Sequence, residues 1–393
     1  MTAYGTLEYD AIVIGAGPAG STAARLLARS GAKVIMLDRA GFPRDKPCGG
    51  GVTIQAAREL DIDLAPVIER TITKAQMSIR LGGAFNREWP QPLSYMTQRS
   101  RLDAYLAEMA CEAGADFRDA AQVREIEANE SHVIVRSNGD TMRARTVIGA
   151  DGANGVTAKA LGFIDKQRRA AVAFEADATF QNGGASRWED AIALDMGTIP
   201  GGYGWLFPKG DHVNIGVGGW KYAGPTLRDE LSALCAFLDL DVAKLTNLRG
   251  YNLPLRDAGA PIASRNALLV GDAAGLVDPL SGEGIHAAFV SGRLASEAVQ
   301  RYLAGDANDL AGYEAAVDRE LMSEIEVSYK LQAVLYRFPR PSVAVLRHSD
   351  RFWGNFCGLI RGETTYAETE ANLGPLRHLL NGVAKLSAIG IRR

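Results

Sequence analysis

The first forty residues combine two short apolar runs with one helical pattern. Residues 11–14 form an apolar run, residues 15–20 are rich in glycine, and residues 21–30 form an Ala/Leu/Arg-rich stretch that predicts a helix. A second apolar run over residues 33–37 ends at Asp38. Uninterrupted apolar runs are typical of parallel strands buried on both faces, so the pattern predicts one complete β-α-β unit.

Strand and helix patterns continue beyond a loop rich in glycine and proline at residues 41–51. Residues 99–113 predict a helix, and residues 132–136 and 143–149 predict strands, the second of which runs into Asp151. We assign these segments to the same domain as the first β-α-β unit.

The pattern changes between about residues 170 and 255, where short β-like segments alternate with glycine-rich turns. Residues 191–196 and 212–217 are two of these segments. A strand followed by a helix returns with an apolar run at residues 267–270 and a predicted helix over about 284–303. The remainder of the chain reads as mainly helical.

This order of patterns predicts an α/β chain, α+β overall, whose dinucleotide-binding unit is discontinuous in sequence. We expect a Rossmann-type domain with an inserted β-sheet substrate domain, followed by a helical C-terminal region. The expected bounds are 1–60, 97–165 and 260–305 for the Rossmann-type domain, 61–96 and 166–259 for the β-rich domain, and 306–393 for the helical region.

Composition narrows the class of protein without identifying it. Charged residues make up 23% of the 393 residues and the net charge is −3, which gives no strong general attraction for nucleic acid. The four cysteines are widely spaced and form no CxxC pair, so we expect no metal site and a reducing compartment. Because the sequence contains no run of about 20 apolar residues and no signal-peptide pattern, a cytoplasmic location is expected.

The glycine-rich loop after the first apolar run has the spacing of a dinucleotide-binding motif. Gly15 would allow a tight turn, Gly17 would let the backbone approach a pyrophosphate, and Gly20 would let helix and strand pack closely. Amides at the start of the following helix would face the phosphates, and Asp38 could accept both ribose hydroxyls of an adenosine. The complete pattern favours dinucleotide binding over a glycine-rich turn in another α/β protein.

A second motif distinguishes FAD from NAD. The apolar run near residue 270 ends in Gly271 and Asp272, and Asp272 could accept a ribityl hydroxyl, which NAD lacks. Residues 279–285 then open a helix whose positive end would favour negative charge on the flavin pyrimidine ring by roughly 0.3–2 kcal/mol. Alone, the Gly-Asp pair is as typical of a turn as of a site. Together with the first glycine loop, it makes the Rossmann-type unit an expected FAD-binding domain.

Several segments resemble known flavoproteins. Residues 15–20, 150–152 and 269–285 look like the three FAD signatures of proteins similar to para-hydroxybenzoate hydroxylase. Within that group the chain most resembles the geranylgeranyl reductase family, over nearly its whole length. This closer resemblance is carried by the Lys-Pro-Cys-Gly loop at 45–51, the Tyr-x-Trp-x-Phe-Pro signature at 200–208, the strand at 214–218 and the Gly-Glu-x-x-Tyr segment at 359–366.

The resemblance implies FAD contacts spread along the whole cofactor. Ala19 would donate an amide to the pyrophosphate, Asp38 would hold the adenosine ribose, and Arg99 would reach the phosphates. Val123 would meet the adenine through its backbone, and Asp272 would serve the ribityl chain. The full set of expected cofactor residues is Gly15, Gly17, Ala19, Gly20, Asp38, Arg39, Cys48, Gly49, Gly51, Arg99, Val123, Asp151, Asp272, Gly284 and Ile285.

Two positions depart from the pattern of that family. Asp38 replaces the commoner Glu, which shortens the reach to the ribose without removing the acceptor. Gly155 stands where a serine often follows the Asp-Gly motif, which puts one local hydrogen bond in doubt.

Cys48 and three aromatic residues are the candidates for contact with a substrate. A thiol beside the flavin could orient substrate or donate a proton, whereas the alternative for Cys48 is a small buried apolar residue. Tyr203, Trp205 and Phe207 alternate along a predicted strand and therefore point to one face. They could line an apolar substrate pocket or simply pack in the core, and the resemblance favours the pocket.

The resemblance implies reduction of isolated C=C bonds in isoprenoid chains of lipids or quinones, with hydride from N5 of reduced flavin. An apolar pocket with aromatic faces suits the partial positive charge of such a reaction. One alternative is a monooxygenase or halogenase of the same fold, although Tyr203 and Phe207 do not match the halogenase Trp-x-Trp-x-Ile-Pro signature. Another is a flavin-bound lipid carrier or redox sensor.

The electron donor and the membrane are the remaining expected partners. Because no second glycine loop offers a nicotinamide its own Rossmann site, NAD(P)H would bind transiently, and a ferredoxin is equally open as the donor. Residues 331–393 carry an excess of basic over acidic residues, interleaved with aromatic ones. Such a surface is typical either of peripheral contact with the inner face of an anionic membrane or of an ordinary solvated helical face.

Overall fold

The computed structural model describes residues 8–163, 169–372, 377 and 380–382. The strands within these residues are β1 (Tyr9–Ile14), β2 (Val34–Leu37), β3 (Gly51–Thr53), β4 (Arg70–Ile72), β5 (Lys74–Ile79), β6 (Phe85–Glu88), β7 (Ser94–Met96), β8 (Asp116–Arg118), β9 (Val123–Ala128), β10 (Val133–Ser137), β11 (Asp140–Gly149), β12 (Arg169–Thr179), β13 (Ala191–Met196), β14 (Tyr203–Pro208), β15 (His212–Trp220), β16 (Thr246–Leu255) and β17 (Ala267–Leu269). The helices are α1 (Pro18–Arg29), α2 (Ile54–Arg58), α3 (Arg99–Glu112), α4 (Thr157–Ala160), α5 (Leu227–Phe237), α6 (Gly271–Ala274), α7 (Ile285–Ala304), α8 (Ala311–Val317), α9 (Ser323–Arg337), α10 (Pro339–His348), α11 (Asp350–Arg361) and α12 (Tyr366–Asn372).

The first sheet carries the predicted β-α-β unit at its centre. β1 pairs in parallel with β2 on one side and with β11 on the other, and β17 is added in parallel to β11. β8 continues the sheet beyond β2, while β10 and β9 extend it in antiparallel fashion from β11. Helices α1 and α7 pack against each other beside this sheet. The central strands are buried along almost their whole length, as their apolar runs predict, and the α/β fold is confirmed.

Helix α1 begins earlier than the residue pattern indicates. The sequence predicts a start near Ser21, whereas the helix begins at Pro18. Proline is favoured in the first helical turn because that turn has no intrahelical partner for the amide hydrogen that proline lacks. The first turn of α1 is therefore part of the glycine loop, which brings Ala19 into the helix.

The second sheet forms the β-rich part of the molecule. Its strand order is β16-β12-β15-β14-β13-β5-β6, so β5 and β6 join it from an earlier part of the chain. One face packs against α5 through an apolar cluster that includes Leu206, Ile215 and Leu234. The opposite face carries Tyr203, Trp205 and the middle of β12. A small third sheet has the strand order β3-β7-β4. Its strand β3 follows the loop at residues 41–51, and its strand β4 leads into β5.

The C-terminal region is mainly helical over its described residues, as predicted. Helices α9 to α11 follow one another along the chain, and α10 and α11 cover β5 and α2. Among the described helices, none is both long and apolar enough to cross a membrane. The expected domain boundary at 165–166 and the basic residues Lys385, Arg392 and Arg393 lie outside the described residues.

Candidate cofactor and substrate site

A cleft runs along the carboxyl ends of four neighbouring parallel strands, β2, β1, β11 and β17. Ligands of open α/β sheets bind at this edge because the loops that follow the strands converge there. Twelve of the predicted cofactor residues line the cleft: Gly15, Gly17, Ala19, Asp38, Arg39, Cys48, Arg99, Val123, Asp151, Asp272, Gly284 and Ile285. Gly20, Gly49 and Gly51 are not among its lining residues. Asp38 and Asp272 thus border one continuous space.

The glycine loop turns too tightly for side chains at two of its positions. Gly15 has a φ of 105°, and a Cβ atom there would overlap the carbonyl group of Ala150. A Cβ atom at Gly20 would overlap the Gly15 carbonyl oxygen, so this glycine serves the packing of α1 on β1. Gly17 has more room and faces the cleft, as a residue approached by phosphate should.

Asp38 is already tied into the backbone at the end of β2. Its Oδ2 accepts a hydrogen bond from the Ala16 amide at 2.9 Å, and its Oδ1 accepts one from the Ala40 amide at 3.0 Å. Arg44 also donates to Oδ2 at 3.3 Å. The carboxylate is therefore held rigidly, and Oδ1, which accepts one hydrogen bond, keeps a free lone pair for a ribose hydroxyl.

A buried charge network lies beside the glycine loop. Arg99 donates two hydrogen bonds of 2.8 Å to the fully buried Asp103, and Arg44 pairs with the same carboxylate at 2.9 Å. Burial alone would lower the pKa of Arg99, but the charge of Asp103 outweighs it and raises that pKa. Since Arg44 also contacts Asp38, two guanidinium groups share two carboxylates, and both arginines line the cleft, where their remaining N–H groups suit an anionic ligand such as a pyrophosphate.

Asp272 forms an ion pair across the cleft with the loop that contains Cys48. Lys46 Nζ lies 2.9 Å from Asp272 Oδ2. Burial would raise the pKa of Asp272, but the Lys46 charge outweighs it, so the pKa lies below its usual range. Asp272 is the second residue of the short helix α6, which the sequence pattern does not reveal. The carboxylate stays ionised and able to accept hydrogen bonds.

The start of α7 borders the cleft next to Asp272. Gly284 caps the helix, and a Cβ atom there would come within 3.0 Å of Asp272 Oδ1. Ile285 follows as the first helical residue. The helix runs for 20 residues, and Gly284, Ile285 and Ala288 at its start line the cleft.

Asp151 has a local structural role. Its Oδ2 accepts hydrogen bonds from the amides of Val156 and Thr157 at 2.7 and 2.9 Å, and from the Thr157 hydroxyl at 2.8 Å. The other oxygen, Oδ1, is buried without a hydrogen-bond partner among the described atoms. Asp151 thus stabilises the start of α4 with one oxygen and leaves the second available at the cleft wall.

The three aromatic residues of β14 form a row on one face of the second sheet. The Tyr203 and Trp205 ring centroids are 6.0 Å apart, and those of Trp205 and Phe207 are 6.4 Å apart. The Trp205 ring lies over Gly216, where any Cβ would overlap it, and its Nε1 donates to Asn214 Oδ1 at 2.9 Å. The row is therefore fixed in place.

The aromatic row meets the loops that border the cleft at both of its ends. Phe207 packs under Gly49, where a Cβ atom would lie 2.7 Å from the ring, and Trp205 Nε1 is also close to that glycine. At the other end, the Tyr203 hydroxyl donates to the Ser281 carbonyl oxygen, and burial raises the pKa of Tyr203. The row does not line the cofactor cleft itself, but it adjoins the Cys48 loop.

Five side chains in or beside the cleft were missed by reasoning from the sequence. Arg44 and Lys46 lie in the loop that precedes Cys48, and their charge next to that motif could have signalled them. Tyr251 lines the cleft from β16, and nothing in its sequence neighbourhood marks it. Glu175 and Lys209 are buried beneath the Cys48 loop. They come from strands and turns distant in sequence, so only the fold brings them together.

Comparison with known proteins places the chain among flavoproteins. A family model described as an FAD binding domain matches residues 8–196. The chain is 35% identical over 308 residues to geranylgeranyl diphosphate reductase of Rhodobacter capsulatus, which covers 76% of each protein. It is 32% identical over 356 residues to the chloroplastic enzyme of that name from Oryza sativa subsp. japonica, covering 83% of this chain and 74% of the relative. Menaquinone reductase of Mycolicibacterium smegmatis is 33% identical over 309 residues, covering 73% and 75%.

Solved structures show how widely the fold is shared. A geranylgeranyl bacteriochlorophyll reductase-like protein from Thermoplasma acidophilum superposes with a TM-score of 0.73 at 22% identity, covering 84% of this chain and 88% of that one. A mutant of halogenase PltM in complex with FAD superposes with a TM-score of 0.68 at 16% identity, covering 83% and 76%. These structures share the fold of this chain across more than one chemistry.

Proposed function

Because this chain belongs to the geranylgeranyl reductase family of FAD-dependent oxidoreductases, we propose that it reduces isolated carbon–carbon double bonds in an isoprenoid chain. The substrate would be a geranylgeranyl or polyprenyl group carried by a lipid or a quinone. Relatives named as geranylgeranyl diphosphate reductase and as menaquinone reductase support both classes of carrier. The proposal places the protein in lipid metabolism.

The cleft residues would hold FAD in an extended form. Asp38 would bind the adenosine ribose, and the positive charge of Arg44 and Arg99 would face the pyrophosphate. Asp272, oriented by Lys46, would accept a ribityl hydroxyl. When bound and reduced, FAD supplies the hydride from its N5 atom. The protein's share is orientation, exclusion of water and a suitable electrostatic field.

The aromatic row is the observation that carries the substrate proposal. Tyr203, Trp205 and Phe207 form an apolar, electron-rich strip that ends at the Cys48 loop on one side and at Ser281 on the other. Because the rings are already fixed, the protein would lose little conformational freedom when a prenyl chain lies along this strip. Their π faces would stabilise the partial positive charge that develops as a proton, from solvent or a nearby acid, adds to one carbon of the alkene, while the hydride adds to the other carbon.

Turnover without oxygen tests the proposal against its main rival. Reduced protein is incubated anaerobically with geranylgeranyl diphosphate or a menaquinone, and the extracted lipids are examined by mass spectrometry. Each reduced bond adds two mass units. Unchanged lipids together with an oxygen-dependent product would instead establish a monooxygenase or halogenase. A protein that binds the lipid but leaves it unchanged both with and without oxygen would be a carrier or sensor.

The electron donor is proposed to be NAD(P)H or a ferredoxin. A nicotinamide would bind transiently against the exposed flavin, whereas a ferredoxin would dock on the surface. Anaerobic stopped-flow absorbance of the FAD-loaded protein, mixed with either donor, distinguishes them by the rate at which the flavin bleaches.

We also propose that helices α9 to α11 rest on an anionic membrane. Four large apolar side chains are exposed there, Tyr336, Phe338, Val345 and Phe352. Exposed arginines surround them at positions 337, 340, 347 and 351, and the acidic Asp350 is paired with Arg87. Aromatic and basic side chains in one surface fit the headgroup region of an anionic bilayer, which is where a prenyl lipid would be available.

A further inference from the structure

Glu175 is a buried carboxyl group on the same face of the second sheet as the aromatic row. It lies in the middle of β12, opposite Gly216 of β15, and Gly216 in turn lies opposite Trp205 of β14. Residues opposite one another across a sheet point to the same face. Glu175 therefore sits beside the tryptophan ring, fully removed from solvent.

The two oxygens of this carboxyl group have different environments. Oε1 accepts a hydrogen bond from the backbone amide of Cys48 at 2.8 Å. Oε2 is buried and has no hydrogen-bond partner among the described atoms. A buried polar atom without a partner costs about 1–3 kcal/mol, so its retention in a folded protein calls for an explanation. The purely structural need at Cys48 is met by Oε1 alone.

Charged and titratable groups approach Glu175 from each neighbouring element. From β16, Arg249 lies 3.9 Å away and also contacts Asp45 and Asp177, while Tyr251 faces the same cluster. From the turn after β14, the buried Lys209 donates to the Gly49 carbonyl oxygen and, at 3.0 Å, to the Thr97 carbonyl oxygen. The Cys48 loop forms the roof of the cluster.

This environment brings two titrations close to neutral pH. Burial raises the pKa of Glu175 to about 7, with Asp177 adding to the shift while Arg249 and the Cys48 amide oppose it. Burial lowers the pKa of Lys209 to about 8, against the opposing charges of Cys48 and Glu175. The carboxyl group thus exchanges its proton in the range in which most enzymes work.

We infer that Glu175 is a positioning residue for Cys48, since its carboxyl group anchors the Cys48 amide and its charge acts on the thiol in opposition to the guanidinium of Arg99, which also contacts the Cys48 side chain. The Cys48 sulfur accepts a hydrogen bond from the Gly50 amide at 3.3 Å, and Cys48 lines the cleft. A change in the Glu175 side chain therefore reaches the thiol through the backbone of the loop that contains Cys48 and Gly50. The inference rests on the proposed function only in assigning that loop to the flavin side.

The reactivity of the Cys48 thiol tests the inference without any prenyl substrate. Cys111 is exposed and is replaced by serine, whereas Cys235 and Cys357 are buried and shielded. The FAD-loaded and the apo forms are treated with N-ethylmaleimide across a pH range, and modification of the Cys48 peptide is followed by mass spectrometry. Glu175→Gln retains an oxygen for the Cys48 amide but cannot ionise, whereas Glu175→Ala removes the anchor as well.

We expect the Glu175→Gln variant and the parent to react equally below pH ~6, where both side chains are neutral. Above pH ~8 the variant reacts about threefold or more faster, because the neutral glutamine places no negative charge beside the reacting sulfur. Glu175→Ala reacts faster at every pH, and glutamine restores the parental rate only at low pH. The control is Asp195→Asn. Asp195 is a buried carboxylate on β13 that accepts a hydrogen bond from the Leu81 amide, on the face of the second sheet opposite to Glu175. This substitution should leave the pH profile of Cys48 modification unchanged.

Equal rates for the parent and Glu175→Gln at every pH would overturn the inference, even if the alanine variant failed to fold. Retained FAD absorbance and a cooperative unfolding transition show that each variant is native before its thiol is measured. A protein that reduces no prenyl lipid but shows the predicted pH profile would refute the proposed function and leave the role of Glu175 intact.

Discussion

Gly155 lies so close to Asp151 that a Cβ atom on the glycine would overlap the Asp151 carboxyl group. The serine common at this position in similar flavoproteins therefore has no room here. Asp151 instead receives hydrogen bonds from Val156 and Thr157, so the hydrogen bond in doubt at the Asp-Gly motif is replaced by others from the chain itself.

Replacement of this glycine should destabilise the FAD-binding domain. We expect Gly155→Ser to lower the free energy of unfolding by about 1–3 kcal/mol, because the Asp151 carboxylate must move and α4 loses its anchor. Urea denaturation followed by circular dichroism measures the change. The control is Gly312→Ala, at an exposed helical position with no atoms near a new Cβ, which should be neutral or slightly stabilising. An equally stable serine variant would contradict the prediction.

Loss of the Asp38 charge should weaken FAD binding. The Asp38→Asn variant keeps the shape of the side chain, but an amide nitrogen replaces one carboxylate oxygen. That nitrogen cannot accept the hydrogen bonds from Ala16 and Arg44 or from a ribose hydroxyl. A charged hydrogen bond contributes about 1.5–3 kcal/mol, so we expect roughly a tenfold or greater rise in the dissociation constant. Quenching of FAD fluorescence by apoprotein measures it. Asp140→Asn, at an exposed strand end of the same sheet, should leave FAD binding unaltered.

Truncation of the central ring of the aromatic row should affect the prenyl substrate selectively. Trp205→Phe removes the hydrogen bond to Asn214 and opens space above Gly216. We expect a higher KM for the prenyl substrate, an unchanged FAD dissociation constant and a loss of about 1–3 kcal/mol in stability. Trp188→Phe is the matched control, because Trp188 is equally buried but packs in the cluster on the other face. A KM that changes alike in both variants would argue against a substrate strip.

The burial of Glu175 predicts a dependence of stability on pH. Its pKa rises from 4.5 in the unfolded chain to about 7 in the folded protein. The folded protein therefore binds this proton more tightly, and the stability so gained is complete below pH 4.5 and is lost as pH rises through 7. Relative to Glu175→Gln, the parent should lose about 3 kcal/mol of unfolding free energy over this range.

Urea unfolding of the parent and of Glu175→Gln at pH values near 5 and near 8 measures the difference directly. As the pH rises, the free energy of unfolding of the parent should fall relative to that of the glutamine variant. A difference in unfolding free energy that is the same at both pH values would show that Glu175 has the same pKa in the folded and unfolded chains.

The exposed apolar side chains of α9 to α11 should govern association with membranes. Replacement of Phe338 and Phe352 by serine should abolish co-sedimentation with vesicles that contain anionic lipid, while stability and FAD binding stay the same. Replacement of the exposed Leu248 by serine is the control, because Leu248 lies on the edge strand β16, at the other end of the second sheet from the strand β5 that α10 covers. Binding of the parent to vesicles should fall as salt rises, because the arginines act through screened charge. Equal sedimentation of all proteins, with or without anionic lipid, would contradict the proposed contact.

The parts of the fold that the sequence predicts are those set by local pattern. The strand Ala191–Met196 and the helices near residues 99 and 285 follow from apolar periodicity, and the glycine spacing marks the cofactor loop. The start of α1 and the short α6 escape this reasoning, because a proline in a first turn and a four-residue helix have no period of their own.

The site was predictable only where its chemistry follows a motif. The Lys46–Asp272 ion pair joins residues 226 positions apart, and neither side chain indicates the other. In the sequence, Glu175 and Lys209 are ordinary charged residues of a strand and a turn. They become neighbours only when the second sheet packs beneath the Cys48 loop. Register and topology, rather than residue type, turn these side chains into a buried cluster.

Strand β17 joins the first sheet beside β11, although most of the second sheet is made between them in the chain. A ribosome must therefore release Ala267–Leu269 and the start of α7 before the wall that carries Asp272 exists. We therefore expect uptake of FAD to follow synthesis of this segment. Until then the Val147–Gly149 end of β11 has no neighbouring strand on the side that β17 will occupy, and an unpaired strand edge is prone to pair with other strands.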